Sequence, residues 1–297
     1  MLTHECKGNA SYKHLSIKQE NIDLYYKNKP RIFATVPLFF DIDGTLVSFQ
    51  THQIPVSAVR AIEQAKERGI QVYISTGRPF ALINNLGDIR HLIDGYITVN
   101  GAYCFMDGQV ISCSPIPRKD VQTLIRLADE MNFSCMVVGE KDLAMYNANE
   151  KSDFIFRQML NVRDLKEVDS LDFLQGQEVL QLTPVITEEE EKIVLPQLSQ
   201  CCSGRWYPDF ADITARDTDK GKGLRAVMAW KGLKREETMA FGDGGNDIPI
   251  IREAGIGVAM GNANGSLKAV ADYVTSSVEE DGISQALKHW VLDAASI

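Results

Sequence analysis

Short apolar runs alternate with stretches of helical periodicity in two separate parts of this 297-residue chain. Residues 36–40 form one such run, which suits a strand buried on both faces. Apolar side chains then recur at helical spacing from Val56 to Ala65, and the pattern stops before Gly69, a typical helix-ending glycine. Strands separated by helices indicate βαβ units, whose strands lie parallel in one sheet. The alternation therefore predicts an α/β fold with a doubly wound, mostly parallel, Rossmann-like core sheet.

The alternation is interrupted by a segment of different character. Further core strands are predicted at 70–75, 96–99, 238–241, 256–260 and 272–275. Asp107-Gly108 predicts a hairpin between the two halves of residues 102–112. Residues 113–206 mix helical patterns (121–131, 188–198) with short strands (135–138, 143–146, 179–182) and carry no phosphate-loop signature. We interpret this segment as an inserted α+β domain.

Composition narrows the possible partners. The chain has 31 basic and 40 acidic side chains and a net charge of -9, which disfavours nucleic acid and anionic membranes. No apolar stretch approaches the ~20 residues of a membrane span, and no secretory h-region precedes the core. Six cysteines without a CxxC pattern suit a reducing compartment. We expect a cytoplasmic protein whose site makes positive charge locally if its substrate is anionic.

The first motif is Asp41-Ile42-Asp43-Gly44-Thr45, directly after the first strand. Ligands bind beyond the carboxyl ends of strands in open α/β sheets. Residues two apart on extended backbone point the same way, so the carboxylates of Asp41 and Asp43 are expected to converge. Two close anions are costly without a cation, which indicates Mg²⁺. The alternative is an Asp-rich turn that caps a helix.

The second motif is Ser75-Thr76-Gly77-Arg78-Pro79. A hydroxyl at a strand end, then glycine, then a helix starting at Pro79 would cradle a phosphate. Thr76 and Gly77 are the candidate phosphate-binding residues. As a simple helix N-cap the same turn would be ordinary.

Two further motifs lie after the inserted segment. The third, residues 219–223 (DKGKG), opens a helix, and Lys220 is preferred to Lys222 as the lysine that neutralises phosphate oxygens. In the fourth, residues 242–247 (GDGGND), Asp243 is placed to ligate the metal, Asp247 to support it from outside the ligand sphere, and Asn246 to bind substrate or metal-bound water. A glycine-rich turn or an incomplete calcium loop is the alternative for this motif.

The order of the four motifs resembles the haloacid dehalogenase superfamily, specifically the Cof-type sugar-phosphate phosphatases, and looks especially close to bacterial hexose-phosphate phosphatases. The resemblance covers residues 36–290 and includes the softer features at 99–102, 257–263 and 280–283. It implies that Asp41 is the nucleophile and Asp43 the general acid and base. It also implies Mg²⁺ bound by Asp41, the backbone carbonyl of Asp43, and Asp243, with the phosphoryl group bound by Thr76 and Lys220.

The spacing of the motifs predicts the domains. The 144 positions from Thr76 to Lys220 far exceed one crossover, so they must contain a cap domain. We predict an N-terminal extension at 1–33, a phosphatase core at 34–112 and 207–297, and the cap at 113–206. In the resembling family such a cap closes over the core and selects the leaving group. Residues 1–33 are interpreted as a loosely docked extension, a partner-binding arm or the product of an upstream start site.

The sequence predicts a Mg²⁺-dependent phosphatase for small phosphate monoesters, with hexose phosphates preferred and an aspartyl-phosphate on Asp41. The alternatives are a phosphomutase on the same core and a non-catalytic sugar-phosphate sensor. An intact Asp41 and Asp43 pair argues against the sensor. The sequence does not predict the sugar, the cap residues that contact it, or the oligomeric state.

Overall fold

A computed structural model describes residues 36–160, 162 and 165–292 of the chain. The predicted extension at 1–33 lies outside the described residues. Within them, the strands form an eight-stranded sheet and a six-stranded sheet. The strands are β1 (Leu38–Phe40), β2 (Val72–Ser75), β3 (Gly95–Thr98), β4 (Tyr103–Met106), β5 (Gln109–Cys113), β6 (Cys135–Gly139), β7 (Leu143–Tyr146), β8 (Lys166–Val168), β9 (Val179–Pro184), β10 (Cys201–Tyr207), β11 (Phe210–Ala215), β12 (Met239–Gly242), β13 (Ile256–Ala259) and β14 (Tyr273–Val274).

The α-helices of the described ranges are α1 (Val56–Glu67), α2 (Arg118–Met131), α3 (Glu150–Asp153), α4 (Glu188–Val194), α5 (Lys220–Lys231), α6 (Ile248–Glu253), α7 (Gly265–Lys268) and α8 (Gly282–Leu287). No helix in the described part of the chain is long and apolar enough to cross a membrane.

The eight-stranded sheet has the order β14-β13-β12-β1-β2-β3-β4-β5. The pairs from β14 to β3 are parallel, and β3, β4 and β5 continue as an antiparallel meander. β1 lies in the middle because Leu-Phe-Phe is fully buried and packs on both faces. Phe40 joins the apolar layer under α1 and α8, whereas Phe39 joins the layer under α5 and α6. Helical layers on both faces confirm the doubly wound α/β fold.

The six-stranded sheet has the order β10-β11-β9-β6-β7-β8, and four of its strands, β6 to β9, lie wholly within the predicted inserted segment 113–206. α2 and α4 pack their apolar side chains against one face of it. The predicted boundary between 206 and 207 was wrong, because it falls inside β10. β11 pairs with both β10 and β9, so this sheet extends to Ala215. Alternating apolar residues at 210–215 suit a strand of either sheet, so the sequence pattern did not locate the crossing point.

Core and cap meet beside the second motif. Leu82 packs against an apolar cluster of the cap that includes Met136, Phe156 and Phe210. On the other side of the junction, Leu180 of the cap packs against Val99 in the core. The cap therefore contacts the loops that follow β2 and β3.

Candidate active site

The four motifs converge at one edge of the core sheet. Asp41 follows β1, Thr76 follows β2, and Asp243 follows β12, and these three strands are direct neighbours. Lys220 is the first residue of α5, whose N-cap is Asp219. Because carboxyl ends of parallel strands share one edge, Asp41 and Asp243 meet there although they are 202 positions apart in sequence.

Three carboxylates form a cluster at this edge. One oxygen from each of Asp41, Asp243 and Asp247 lies within 4.8 Å of the others. Asp41 is 6% exposed and Asp247 is fully buried. Thr45 Oγ1 donates a hydrogen bond to Asp243 Oδ1 at 3.2 Å. The cluster offers hard oxygen ligands, the kind that Mg²⁺ prefers.

Lys220 lies between two of these carboxylates. Its Nζ is 2.6 Å from Asp41 Oδ1 and 2.5 Å from Asp247 Oδ1, and the side chain is 0% exposed. Burial disfavours the ammonium, but the charges of Asp247 and Asp41 raise the pKa of Lys220 above its usual value. Lys222, the alternative that the sequence left open, donates instead to Ser114 Oγ at 3.1 Å.

Asp247 has both oxygens occupied. Oδ1 contacts Lys220, and Oδ2 accepts hydrogen bonds from the backbone N–H groups of Asp243 at 3.0 Å and Gly244 at 2.9 Å. These bonds fix the loop that carries Asp243. Asp41 and Asp243 are therefore the members of the cluster with an oxygen available for a cation.

The charged forms of the Asp41 and Asp243 carboxylates are disfavoured in this cluster. Burial, the charge of Asp247 and the charge of Asp243 raise the pKa of Asp41 well above its usual value, against the opposing effect of Lys220. Burial and the charge of Asp247 raise the pKa of Asp243 to about 6. A divalent cation between the two carboxylates would remove this repulsion. The donor set and its charge thus fit Mg²⁺.

Asp243 gives a stability prediction for the metal-free protein. An unfolded Asp titrates near a pKa of about 3.9, and this pKa is raised to about 6 in the fold. Between these values the native state binds more protons than the unfolded state, so stability falls as pH rises from about 4 to about 6. We expect the Tm of Asp243→Asn in EDTA to fall less over this range, because Asn keeps an acceptor for Thr45 without the charge.

Thermal unfolding of both proteins at fixed ionic strength measures this difference. Near neutral pH, Mg²⁺ should raise the Tm of the wild type and have a much smaller effect on Asp243→Asn. If the Tm values of the wild type and Asp243→Asn depended identically on pH in EDTA, the charge repulsion inferred at Asp243 would be contradicted.

Asp43 has a partner that the sequence did not predict. Its side chain does not join the carboxylate cluster but forms an ion pair with Arg78 at 2.6 Å. The alternation rule applies to extended backbone and β1 ends at Phe40, so it does not govern the direction of the Asp43 side chain. Its charge still acts on Asp243. Gly44 follows with φ +82°, and a Cβ there would lie 2.3 Å from Asp243 Oδ2. The chain thus turns sharply against Asp243 as it leaves the sheet.

The second motif forms a tight turn rather than the start of a long helix. The helix expected from Pro79 was wrong, since only a 3₁₀ turn, Phe80–Leu82, follows. Thr76 is 1% exposed, and its Oγ1 accepts the backbone N–H of Arg78 at 3.1 Å. Gly77 lies against the amide of Asn100, since a Cβ at this glycine would be 3.2 Å from Asn100 Oδ1.

Asn100 connects the second and fourth motifs. Its backbone is left-handed (φ 51°, ψ 37°), and its N–H donates to the Thr76 carbonyl at 3.0 Å. Asn246 Nδ2 donates to Asn100 Oδ1 at 3.0 Å. Asn246, predicted to bind substrate, thus lies beside Gly77 at the open side of the site.

Sequence reasoning missed two supporting residues. Thr45 contacts Asp243, and Asn262 Nδ2 donates to the Gly44 carbonyl at 2.8 Å while its Oδ1 accepts from Val278 N–H at 3.0 Å. Both lie inside motifs that the sequence singled out, at 41–45 and 257–263. Their positions were therefore available as a signal, although their contacts were not.

Comparison with known proteins gives the family. A family model for haloacid dehalogenase-like hydrolases matches residues 38–287. The solved structure of the subclass IIB sugar phosphatase BT4131 is 50% identical with a TM-score of 0.76, covering 86% of this chain and 98% of that one. The phosphatase BT1666 from Bacteroides thetaiotaomicron is 37% identical with a TM-score of 0.77, covering 88% of this chain and 97% of that one.

A sequence relative from Bacillus subtilis also matches most of the chain. YkrA of Bacillus subtilis (strain 168), whose name assigns it provisionally as a phosphatase, is 33% identical over 254 residues. That match covers 84% of this chain and 96% of the relative. The chain therefore belongs to the haloacid dehalogenase-like hydrolases of the Cof type, and it is a phosphoric monoester hydrolase.

Proposed function

We propose that this phosphatase is Mg²⁺-dependent and hydrolyses small sugar phosphates, hexose phosphates above all, through an aspartyl-phosphate on Asp41. The observation that carries the proposal is the environment of the Asp41 carboxylate. It is buried at the end of the central strand, with Oδ1 held by Lys220 at 2.6 Å and with Asp243 beside it. The ammonium of Lys220 thus fixes the orientation of the carboxylate that would attack the phosphorus atom.

In the first step, an oxygen of Asp41 attacks the phosphorus atom and the bond from phosphorus to the leaving oxygen breaks. Asp43 gives its proton to that oxygen, so the leaving group departs as an alcohol. Lys220, the Thr76 hydroxyl, the Gly77 backbone N–H and the Asn246 amide bind the phosphoryl oxygens. Such positioning and charge neutralisation supply most of the catalysis in phosphoryl transfer.

In the second step, Asp43 takes a proton from water while that water attacks phosphorus. The bond between Asp41 and phosphorus breaks, inorganic phosphate forms, and the Asp41 carboxylate is regenerated. Covalent catalysis thus divides one difficult hydrolysis into two displacements. Asp41, the Asp43 backbone carbonyl and Asp243 would hold Mg²⁺, which supplies positive charge that neutralises the phosphate.

Two observations support a sugar phosphate as the substrate. The 50% identical structure is named as a sugar phosphatase. In addition, the cap packs on the Phe80–Leu82 turn beside the site, so the leaving group would lie between core and cap. A cap that excludes water would also strengthen the electrostatic interactions within the site.

A panel of phosphate esters tests the proposal. We expect hexose 6-phosphates to give the highest kcat/KM in the presence of Mg²⁺, and we expect EDTA to remove activity because Asp41 and Asp243 then repel the phosphate. Readdition of Mg²⁺ should restore turnover. Full activity in EDTA would contradict the metal assignment.

The same panel separates the alternatives. Free phosphate should appear in proportion to the ester consumed. A phosphomutase would instead form an isomeric sugar phosphate, and a sensor would bind the ester without releasing phosphate.

A further inference from the structure

Arg78 holds Asp43 through a two-pronged ion pair. Its Nε donates to Asp43 Oδ2 at 2.7 Å and its Nη2 donates to Asp43 Oδ1 at 2.6 Å. The two side chains are only 34% and 33% exposed, so water screens the pair incompletely. Paired N–H donors of this kind fix both the position and the plane of a carboxylate. Neither oxygen of Asp43 is therefore free in this arrangement.

Arg78 is itself anchored on several sides. Its Nη1 donates to the Leu82 carbonyl at 3.2 Å, and its backbone N–H donates to Thr76 Oγ1 at 3.1 Å. Its carbonyl accepts the N–H of Val99 at 3.2 Å. Leu82 packs in turn against the cap. The arginine is thus fixed to the phosphate loop and to the turn that touches the cap, so Asp43 is the partner that must move.

We infer that Arg78 is a positioning residue that controls the orientation of the Asp43 carboxylate. The inference rests on the proposed function, in which Asp43 exchanges a proton with the leaving oxygen and then with water. The oxygen that carries this proton must leave the guanidinium fork, while the other oxygen stays on Arg78. The remaining contact then determines which oxygen faces the leaving group.

In the first step, the orientation of Asp43 matters only for substrates whose leaving group needs a proton. A nitrophenolate leaves without protonation, whereas the alkoxide of a sugar requires it. Loss of Arg78 should therefore affect the two classes of phosphate ester differently. A residue that merely bound the phosphate or supported the fold would affect both classes alike.

The experiment compares p-nitrophenyl phosphate with glucose 6-phosphate as substrates of the full chain in Mg²⁺. For Arg78→Ala we expect the rate of leaving-group release in the first turnover, at saturating substrate, to fall by about 10-fold or more with glucose 6-phosphate, which is a part of the ~10²–10⁴-fold that general acid catalysis contributes. With p-nitrophenyl phosphate this rate should fall much less. Arg78→Lys keeps the charge without the fork and should lie between Arg78→Ala and the wild type. Arg225→Lys, which alters a surface pair with Glu253, is the matched control and should leave the ratio unchanged.

Asp43→Asn distinguishes the two hypotheses. Equal losses of Asp43→Asn in the first-turnover rate on both substrates would refute the acid role of Asp43, and the inference about Arg78 would then also be wrong. Suppose instead that Asp43→Asn slows glucose 6-phosphate selectively while the Arg78 variants slow both substrates equally or raise KM alone. In that case Arg78 binds substrate and the inference is wrong. In the double variant Asp43→Asn/Arg78→Lys the effect of Arg78 should vanish, whereas additive losses would overturn the coupling.

Discussion

Replacing Asp41 by Asn should reduce kcat by at least about four orders of magnitude, since removal of a nucleophile that acts in a concerted site costs losses of that size. A carboxamide oxygen is a poor nucleophile and forms no stable phosphoryl ester. The fold should persist, because Asn has nearly the volume of Asp and its Oδ1 still accepts a hydrogen bond from Lys220. Steady-state release of phosphate from glucose 6-phosphate, together with the Tm, measures both expectations.

Trapping of the phosphoenzyme gives the decisive comparison. When the wild type is quenched with acid during turnover, the peptide that contains Asp41 should carry one phosphoryl group. This group should be absent from Asp41→Asn. Asp43→Asn is the matched control, because it retains the nucleophile and loses the base that activates water. With p-nitrophenyl phosphate it should accumulate the phosphoenzyme. Substantial turnover by Asp41→Asn, or a phosphoryl group on another residue, would disprove the covalent route.

Most of the site was predictable because strand ends fix positions. Asp41, Thr76 and Asp243 each follow an apolar run, and a parallel sheet brings the ends of neighbouring runs to one edge. Local pattern was sufficient for this inference. The order of strands β12-β1-β2 was not read from the sequence, yet convergence required only that the three strands be close.

Side-chain direction was predictable only within regular elements. Lys220 and Lys222 lie two residues apart, which is about 200° around an α-helix, so only one of them can face the site. The structure gives that position to Lys220. Asp43 lies beyond the end of β1, where no period applies, and its partner Arg78 is 35 positions away. A contact of this kind depends on tertiary packing that no local pattern records.

Replacing Lys220 by Met should have the largest effect on stability. Its ammonium is fully buried between Asp41 and Asp247 at 2.6 Å and 2.5 Å. Breaking a buried ion pair by removing one partner leaves uncompensated charge and typically costs about 3–5 kcal/mol. We expect a correspondingly lower Tm in EDTA and loss of phosphatase activity, since the phosphoryl oxygens also lose their cation. Stability should recover as pH falls, because protonation removes the excess negative charge.

Lys222→Met is the matched control, because it removes a lysine from the same turn of α5 whose ammonium donates a hydrogen bond to the Ser114 hydroxyl and not to a carboxylate of the site. Its Tm should stay close to that of the wild type. Adding Asp247→Asn to Lys220→Met should restore part of the lost stability, because one of the two carboxylates that lost their ammonium partner is then replaced by a neutral amide. Mg²⁺ should also stabilise Lys220→Met more than the wild type, since the ion replaces the missing positive charge. Equal Tm values for Lys220→Met and Lys222→Met in EDTA would mean that the buried ammonium does not balance the carboxylates of Asp41 and Asp247, and the electrostatic basis of the site would be wrong.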